Sequence, residues 1–233
     1  DLSGLSVSLS ANGDIVAIGA PQHDGDETNI NDNRGHVRVY QYDGSTWNQL
    51  GADIDGDAEA AQDQSGRSVS LSADGKIVAI GAIWNDNDNG TNSGHVRVYQ
   101  YEGSTWTQLG QDIDGEAQGH QTGYSVSLSA DGNTLAIGAF NLEIGGGNVF
   151  DSSTGYVKVY QFDGTTWNQL GQDIVGEATD DYSGRSVSLS GDGNTLAIGS
   201  PEFYNPLVSV NNDYGGYVKV YLFDGTQWNQ LDG

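Results

Sequence analysis

Ser65-Gly66-Arg67-Ser68-Val69-Ser70-Leu71-Ser72-Ala73-Asp74-Gly75-Lys76-Ile77-Val78-Ala79-Ile80-Gly81-Ala82 is the stretch on which the fold turns. Around Val69 and Leu71, apolar and polar residues alternate, which marks a strand with one buried face. Ile77–Ala82 is apolar throughout and uses small residues, as a strand covered on both faces does. Asp74-Gly75 between the two supplies the positive φ of a tight hairpin. The stretch recurs. Ser-Gly-x-Ser-Val-Ser-Leu-Ser starts at Ser3, Ser65 and Ser183, Thr122 opens a further copy, and Asn12-Gly13, Asp131-Gly132 and Asp192-Gly193 repeat the turn.

Downstream, His95–Tyr101 reads as a third strand, with counterparts ending in Tyr42, Phe162 and Phe223. A second tight turn (Asp43-Gly44, Glu102-Gly103, Asp163-Gly164 or Asp224-Gly225) leads to a fourth strand carrying Trp47, Trp106, Trp167 or Trp228. Those tryptophans are 59, 61 and 61 residues apart. Four short antiparallel strands, repeated four times, predict an all-β chain. The architecture is a β-propeller of four four-stranded antiparallel blades, at approximately 1–60, 61–120, 121–180 and 181–233 of a single repeat domain, 1–233. The blades would close a small ring, supply four blades of a larger propeller, or stack as an open array. Strand direction sorts the connections. Short, nearly invariant turns lie on one face. The long connections lie on the other, including the four that differ in every repeat: 21–34, 83–93, 140–154 and 201–215. Variable loops on a rigid frame are where function resides.

Composition narrows the partners. The 32 acidic residues against 8 basic give a net charge of −24, which repels nucleic acid and anionic lipid. No run approaches the ~20 apolar residues of a membrane-spanning helix. Cysteine is absent, so there is neither a disulfide framework nor a thiolate metal site. With no methionine and a start at Asp1 inside the lead-in to a repeat, the sequence reads as a processed or partial chain.

Gly66-x-Ser68-Val69, Ala79-Ile80-Gly81-Ala82 and Gly94-His95-Val96-Arg97-Val98-Tyr99 together resemble the FG-GAP repeat of integrin-α-type propellers, and Gly19-Ala20-Pro21 is similar to its name-giving triplet. The resemblance covers the whole chain four times. It implies a propeller in an extracellular adhesion or recognition setting, secreted or at the cell surface, and implies no enzyme. Three departures stand out. Ser3, Ser65, Thr122 and Ser183 replace the phenylalanine of the FG pair, and the family's calcium loop is reduced to turns such as Asp74-Gly75, so its ligands do not carry over. Four blades stand where that family usually closes seven.

Several loops offer candidate chemistry. Asn85-Asp86-Asn87-Asp88-Asn89-Gly90 sets oxygen side chains before a glycine, as a loop that wraps Ca²⁺ does, and Asp24 and Asp26 lie in a segment of similar composition. Calcium is the one cofactor this suggests; the plainer reading is a solvated loop of good turn formers. The recurring Asp53-x-Asp55-Gly56-Asp57, Asp112-x-Asp114-Gly115-Glu116 and Asp173-x-Val175-Gly176-Glu177 point to a structural role between blades, or a shared cation. Trp84, Phe140, Phe203 and Tyr204 are aromatics of the variable loops that could stack on a sugar ring or pack locally. Asn89-Gly90-Thr91 is a glycosylation sequon. The repeated tryptophans read as packing residues. Arg38, Arg97, Lys158 and Lys219 share one strand position and face the same way as the tyrosines two residues on, where a cation could lie over a ring.

No pairing of nucleophile and base emerges, so no catalytic residue is assigned. The sequence therefore predicts a non-enzymatic recognition or adhesion module that meets a protein or glycan ligand on its long-loop face. A structural repeat segment that assembles with copies of itself is the alternative, and a glycan-acting hydrolase a more remote one.

Overall fold

The computed structural model describes residues 1–25, 32–57, 62–139, 154–178, 181–201 and 215–231. They form an all-β protein of four antiparallel sheets in chain order, each one blade. Blade 1 holds β1 (Ser6–Leu9), β2 (Ile15–Ala20), β3 (His36–Tyr42), β4 (Trp47–Gln49) and β5 (Ile54–Asp55). Blade 2 repeats it with β6 (Ser65–Leu71), β7 (Ile77–Ala82), β8 (His95–Tyr101), β9 (Trp106–Gln108) and β10 (Ile113–Asp114). Blade 3 consists of β11 (Thr122–Leu128), β12 (Thr134–Ala139), β13 (Tyr156–Phe162), β14 (Trp167–Gln169) and β15 (Ile174–Val175). Blade 4 has β16 (Ser186–Leu189), β17 (Thr195–Ser200), β18 (Tyr217–Phe223) and β19 (Trp228–Gln230).

Within a blade the order is first, second, third, fourth strand, as the alternation predicts. The unanticipated element is the fifth. Ile54 and Asp55 pair with Val37 and His36, so β4 and β5 share the outer edge of β3, each covering one end. The acidic connection to the next blade therefore begins as sheet rather than loop. Its isoleucine is the reason: Ile54, Ile113 and Ile174 are all buried.

Three apolar cores hold the blades together, each shared by two neighbours. The first joins Ile15, Ala17, Val37, Val39 and Ile54 of blade 1 to Val69, Leu71, Val78 and Ile80 of blade 2. The second and third repeat it between blades 2 and 3 and between blades 3 and 4. Val37, Val96 and Val157 are fully buried. A side chain of this size contributes roughly 1.5–3 kcal/mol on full burial, so the seams carry most of the stability.

Each seam is closed by the same polar contacts. Ser6 Oγ donates to the Gly66 carbonyl at 2.8 Å, and Ser68 and Ser125 do the same to Gly123 and Gly184. The Leu71 N–H donates to Ser8 Oγ at 2.9 Å, and Ala11 N–H to the Ala73 carbonyl at 2.9 Å. This explains the glycine of the second strand. A Cβ on Gly81 would stand 2.1 Å from the Gly123 carbonyl oxygen, closer than any side chain can.

Candidate functional site

The long connection between β7 and β8, residues 83–94, is the variable loop whose path is described throughout. Ile83 anchors its start in the interior, and Trp84 emerges at 40% exposure. The Trp84 N–H donates to the Asp63 carbonyl at 3.2 Å. Asn85, buried, donates from Nδ2 to Asp63 Oδ2 at 2.8 Å. Asp63 is 2% exposed, and burial pushes its carboxyl up to about 6.

Beyond Asn85 the loop spends its polar groups on itself and on the neighbouring connection. Asp86 Oδ1 accepts the Asn92 N–H at 2.7 Å, and Asn87 Oδ1 accepts the Asn89 N–H at 2.8 Å. Asn89 Nδ2 donates to the Gly115 carbonyl at 2.8 Å, while Gly119 and Gln121 donate their N–H groups to the carbonyls of Thr91 and Asn92. The second-to-third connection and the connection to the next blade are thus laced together into one rim. Asp88 is exposed. In blade 1, Asp24 Oδ1 accepts the Asn33 N–H at 2.9 Å. Asp26, Phe140, Phe203 and Tyr204 lie outside the described residues, so Trp84 is the aromatic of the proposed set that the structure locates.

A second cluster lies where the third strand meets the acidic connection. Arg97 donates to both Asp57 oxygens at 2.7 Å and to Asp112 at 2.7 and 3.0 Å, so one guanidinium ties blade 1 to blade 2. Lys158 pairs with Glu116 and, at 3.4 Å, with Asp173; Lys219 pairs with Glu177. Arg38 has Asp53 of its own blade. The recurring acids are therefore partners of the strand cations. The ring beneath the lysine is the one two residues earlier, against expectation: Lys158 lies 5.7 Å from the Tyr156 centroid and Lys219 5.1 Å from that of Tyr217.

Blades 1 and 2 carry histidine where blades 3 and 4 carry that tyrosine. His36 gathers with Asp53 and Asp55, and His95 with Asp112 and Asp114, each set with its ligand atoms within 4.8 Å of one another. Both rings are buried, and burial, then neighbouring positive charge, lowers each to about 4, leaving a neutral imidazole at pH 7. Such donors suit a divalent cation in kind. Arg38 and Arg97 already occupy Asp53 and Asp112, however, and a metal would have to displace them. Sequence reading grouped the two acids of each set but missed the histidine, which lies 17 residues before the first of them and meets them because β5 and β10 pair with the third strand.

Comparison with known proteins supports the architecture. Residues 47–99, from β4 to β8, match the family model described as the FG-GAP repeat. No curated protein matches the chain. A solved structure titled Kuenenia stuttgartiensis hydrazine synthase superposes with a TM-score of 0.53 at 14% identity, over 97% of this chain and 53% of the other. The chain thus spans about half the length of that neighbour, and the likeness is one of fold.

Proposed function

We propose that this FG-GAP-bearing array of propeller blades is a non-enzymatic recognition module of the extracellular or cell-surface kind, with its long-loop rim as the contact surface and a glycan as its ligand. The observation that carries the reading is Trp84, 40% exposed on a loop that buried contacts and at least six hydrogen bonds hold in place. An aromatic face presented by a rigid loop loses little conformational entropy on binding, and its flat apolar surface suits the C–H face of a sugar ring. Asp86 and Asp88, exposed on the same loop, offer carboxylate acceptors for sugar hydroxyls. The repeat class, found in extracellular and surface proteins, supports the setting.

A glycan array probed with the wild-type chain and with Trp84→Ala tests it. Binding to a defined glycan set, lost in the variant with an unchanged melting temperature, is the expected result. No glycan binding, or binding indifferent to Trp84, refutes the reading. Turnover of a bound glycan would replace it with the hydrolase alternative.

A further inference from the structure

Trp106, Trp167 and Trp228 meet the blade before them in one way at the three seams inside the chain. Each donates its indole N–H to a leucine carbonyl of that blade, Leu50, Leu109 or Leu170, at 2.8–2.9 Å. Beside each ring lies a glycine, Gly51, Gly110 or Gly171, on which a Cβ would stand 3.0, 2.8 or 2.9 Å from the ring's Cδ1. The three rings are therefore seated alike.

What differs is the residue after that glycine. Gln111 Nε2 donates to the Trp167 carbonyl at 2.8 Å, and Gln111 Oε1 accepts the Trp167 N–H at 3.0 Å. Gln172 holds Trp228 in the same way, at 2.8 and 3.1 Å. One planar carboxamide thus answers the donor and the acceptor of a single residue. At the first seam the position is Ala52, whose methyl group offers neither.

The backbone groups of Trp106 nevertheless point the same way. Trp106 stands opposite Tyr101 in the register that sets Trp167 opposite Phe162 and Trp228 opposite Phe223. The Glu102 N–H bonds the Thr105 carbonyl, and the Leu109 N–H bonds the Val98 carbonyl. By the alternation of an antiparallel ladder, Trp106 then falls on a pair that exchanges no hydrogen bonds, with its N–H and C=O turned away from β8. Among the described residues no hydrogen bond meets either group. An open cleft of about 270 Å³ lies there, between blades 1 and 2, lined by Ala52, Ile54, Tyr99, Thr105 and Trp106, among others.

We propose that this cleft binds a primary carboxamide, presented as the glutamine side chain of a partner polypeptide. The amide takes the place beside Trp106 that Gln111 and Gln172 take beside Trp167 and Trp228. A primary amide carries an N–H and a C=O on one edge, as the Trp106 pair requires. A trans peptide group or an N-substituted amide holds them on opposite edges. A carboxylate brings acceptors and no donor, and Asp53 and Asp55 at the cleft repel it. Glutamine is the occupant because both filled seats take their amide from that residue. The site is separate from Trp84 and does not depend on the glycan reading.

Nuclear magnetic resonance titrations of the isotope-labelled chain, followed at the Trp106 backbone amide, test it. The probes are propionamide, N-methylpropionamide, and the peptides Gly-Gln-Gly and Gly-Glu-Gly, both capped by acetyl and N-methylamide groups. The glutamine peptide and propionamide are expected to give saturable shifts, the peptide binding more tightly, and the other two probes none. Ala52 is exposed, so Ala52→Gln should fold and supply the amide from within. That variant should bind the glutamine peptide at least about tenfold more weakly, since two hydrogen bonds are already taken. No saturable shift with the glutamine peptide, equal binding of the glutamate peptide or the N-methyl amide, or binding undiminished in Ala52→Gln overturns the proposal. Propionamide binding as tightly as the peptide overturns a polypeptide as the source of the amide.

Discussion

Trp167 donates its indole N–H to the backbone carbonyl of Leu109 at 2.8 Å, across the seam between blades 2 and 3. Its backbone is clamped as well, since Gln111 accepts the Trp167 N–H and donates to the Trp167 carbonyl. The ring is 3% exposed, and Trp228, gripped in the same way by Gln172, is also 3% exposed. At the first seam Ala52 stands where Gln111 and Gln172 do, and Trp106 is only half-buried. Trp47 is half exposed. Four identical letters thus occupy three environments.

Trp167→Ala should therefore destabilise the chain by ~3–5 kcal/mol, and Trp47→Ala by much less, since little of its surface leaves water. Urea unfolding measures both. Equal losses would contradict the gradient of burial along the row.

How much of this was legible beforehand differs by feature. The blades were, because Val69-Ser70-Leu71 alternates with period two and Asp74-Gly75 punctuates it, and both are local signals. The fate of each tryptophan was not. It depends on which blade covers it, and all four sit in the same local sequence. The fifth strand was hidden because two residues are too few to show a period. The grouping of His95 with Asp112 and Asp114 needed that strand.

Gly81 and Gly199 make a matched pair of probes. A methyl on Gly81 meets the Gly123 carbonyl oxygen at 2.1 Å, a backbone group that cannot retreat without opening the seam. On Gly199, among the described residues, the close contact is with Ser186 Oγ, a side-chain atom rather than backbone. Gly81→Ala should lower the melting temperature steeply, and Gly199→Ala should leave the single chain about as stable as wild type. Thermal melts of the two variants side by side decide it, and a severe loss in Gly199→Ala would mean that backbone packs as closely on Gly199 as it does on Gly81.

The loop from Asn85 to Gly90 has the letters of a calcium site, but several of its oxygens are engaged. Ca²⁺ takes 6–8 oxygen ligands, and here Asp86 and Asn87 each hold a backbone N–H, while Asn85 is buried against Asp63. Adding a chelator should leave the melting temperature unchanged, and millimolar calcium should raise it no more than magnesium does. A calcium-specific rise abolished by Asp86→Asn would show that these bonds yield to the ion.

Acid should weaken the fold, with the two ends of the balance visible in single variants. His95 is held near 4 in the folded chain by burial and by Arg97, against 6.5 when unfolded. Between those values the unfolded chain binds the extra proton, so stability present above pH 6.5 is lost as pH falls toward 4. His36, also near 4, adds to the loss. Asp63 works the other way. Burial raises it to about 6 from 3.8, so the folded chain holds the extra proton, and stability present below pH 3.8 is lost as pH rises through 6. Each shift corresponds to roughly 3 kcal/mol at most. Asp63→Asn keeps an acceptor for Asn85 and removes the charge, so it should be more stable than wild type at pH 8 and lose that advantage near pH 4. His95→Tyr, the residue that blades 3 and 4 use, should flatten the loss between pH 6.5 and 4. In blade 4 the Tyr217 hydroxyl donates to Asp181 at 2.6 Å, and Asp63 stands at the position of Asp181, ready to accept in the same way. Urea midpoints measured from pH 4 to pH 8 for the three proteins test both signs, and parallel curves would show that neither buried group titrates as its surroundings require.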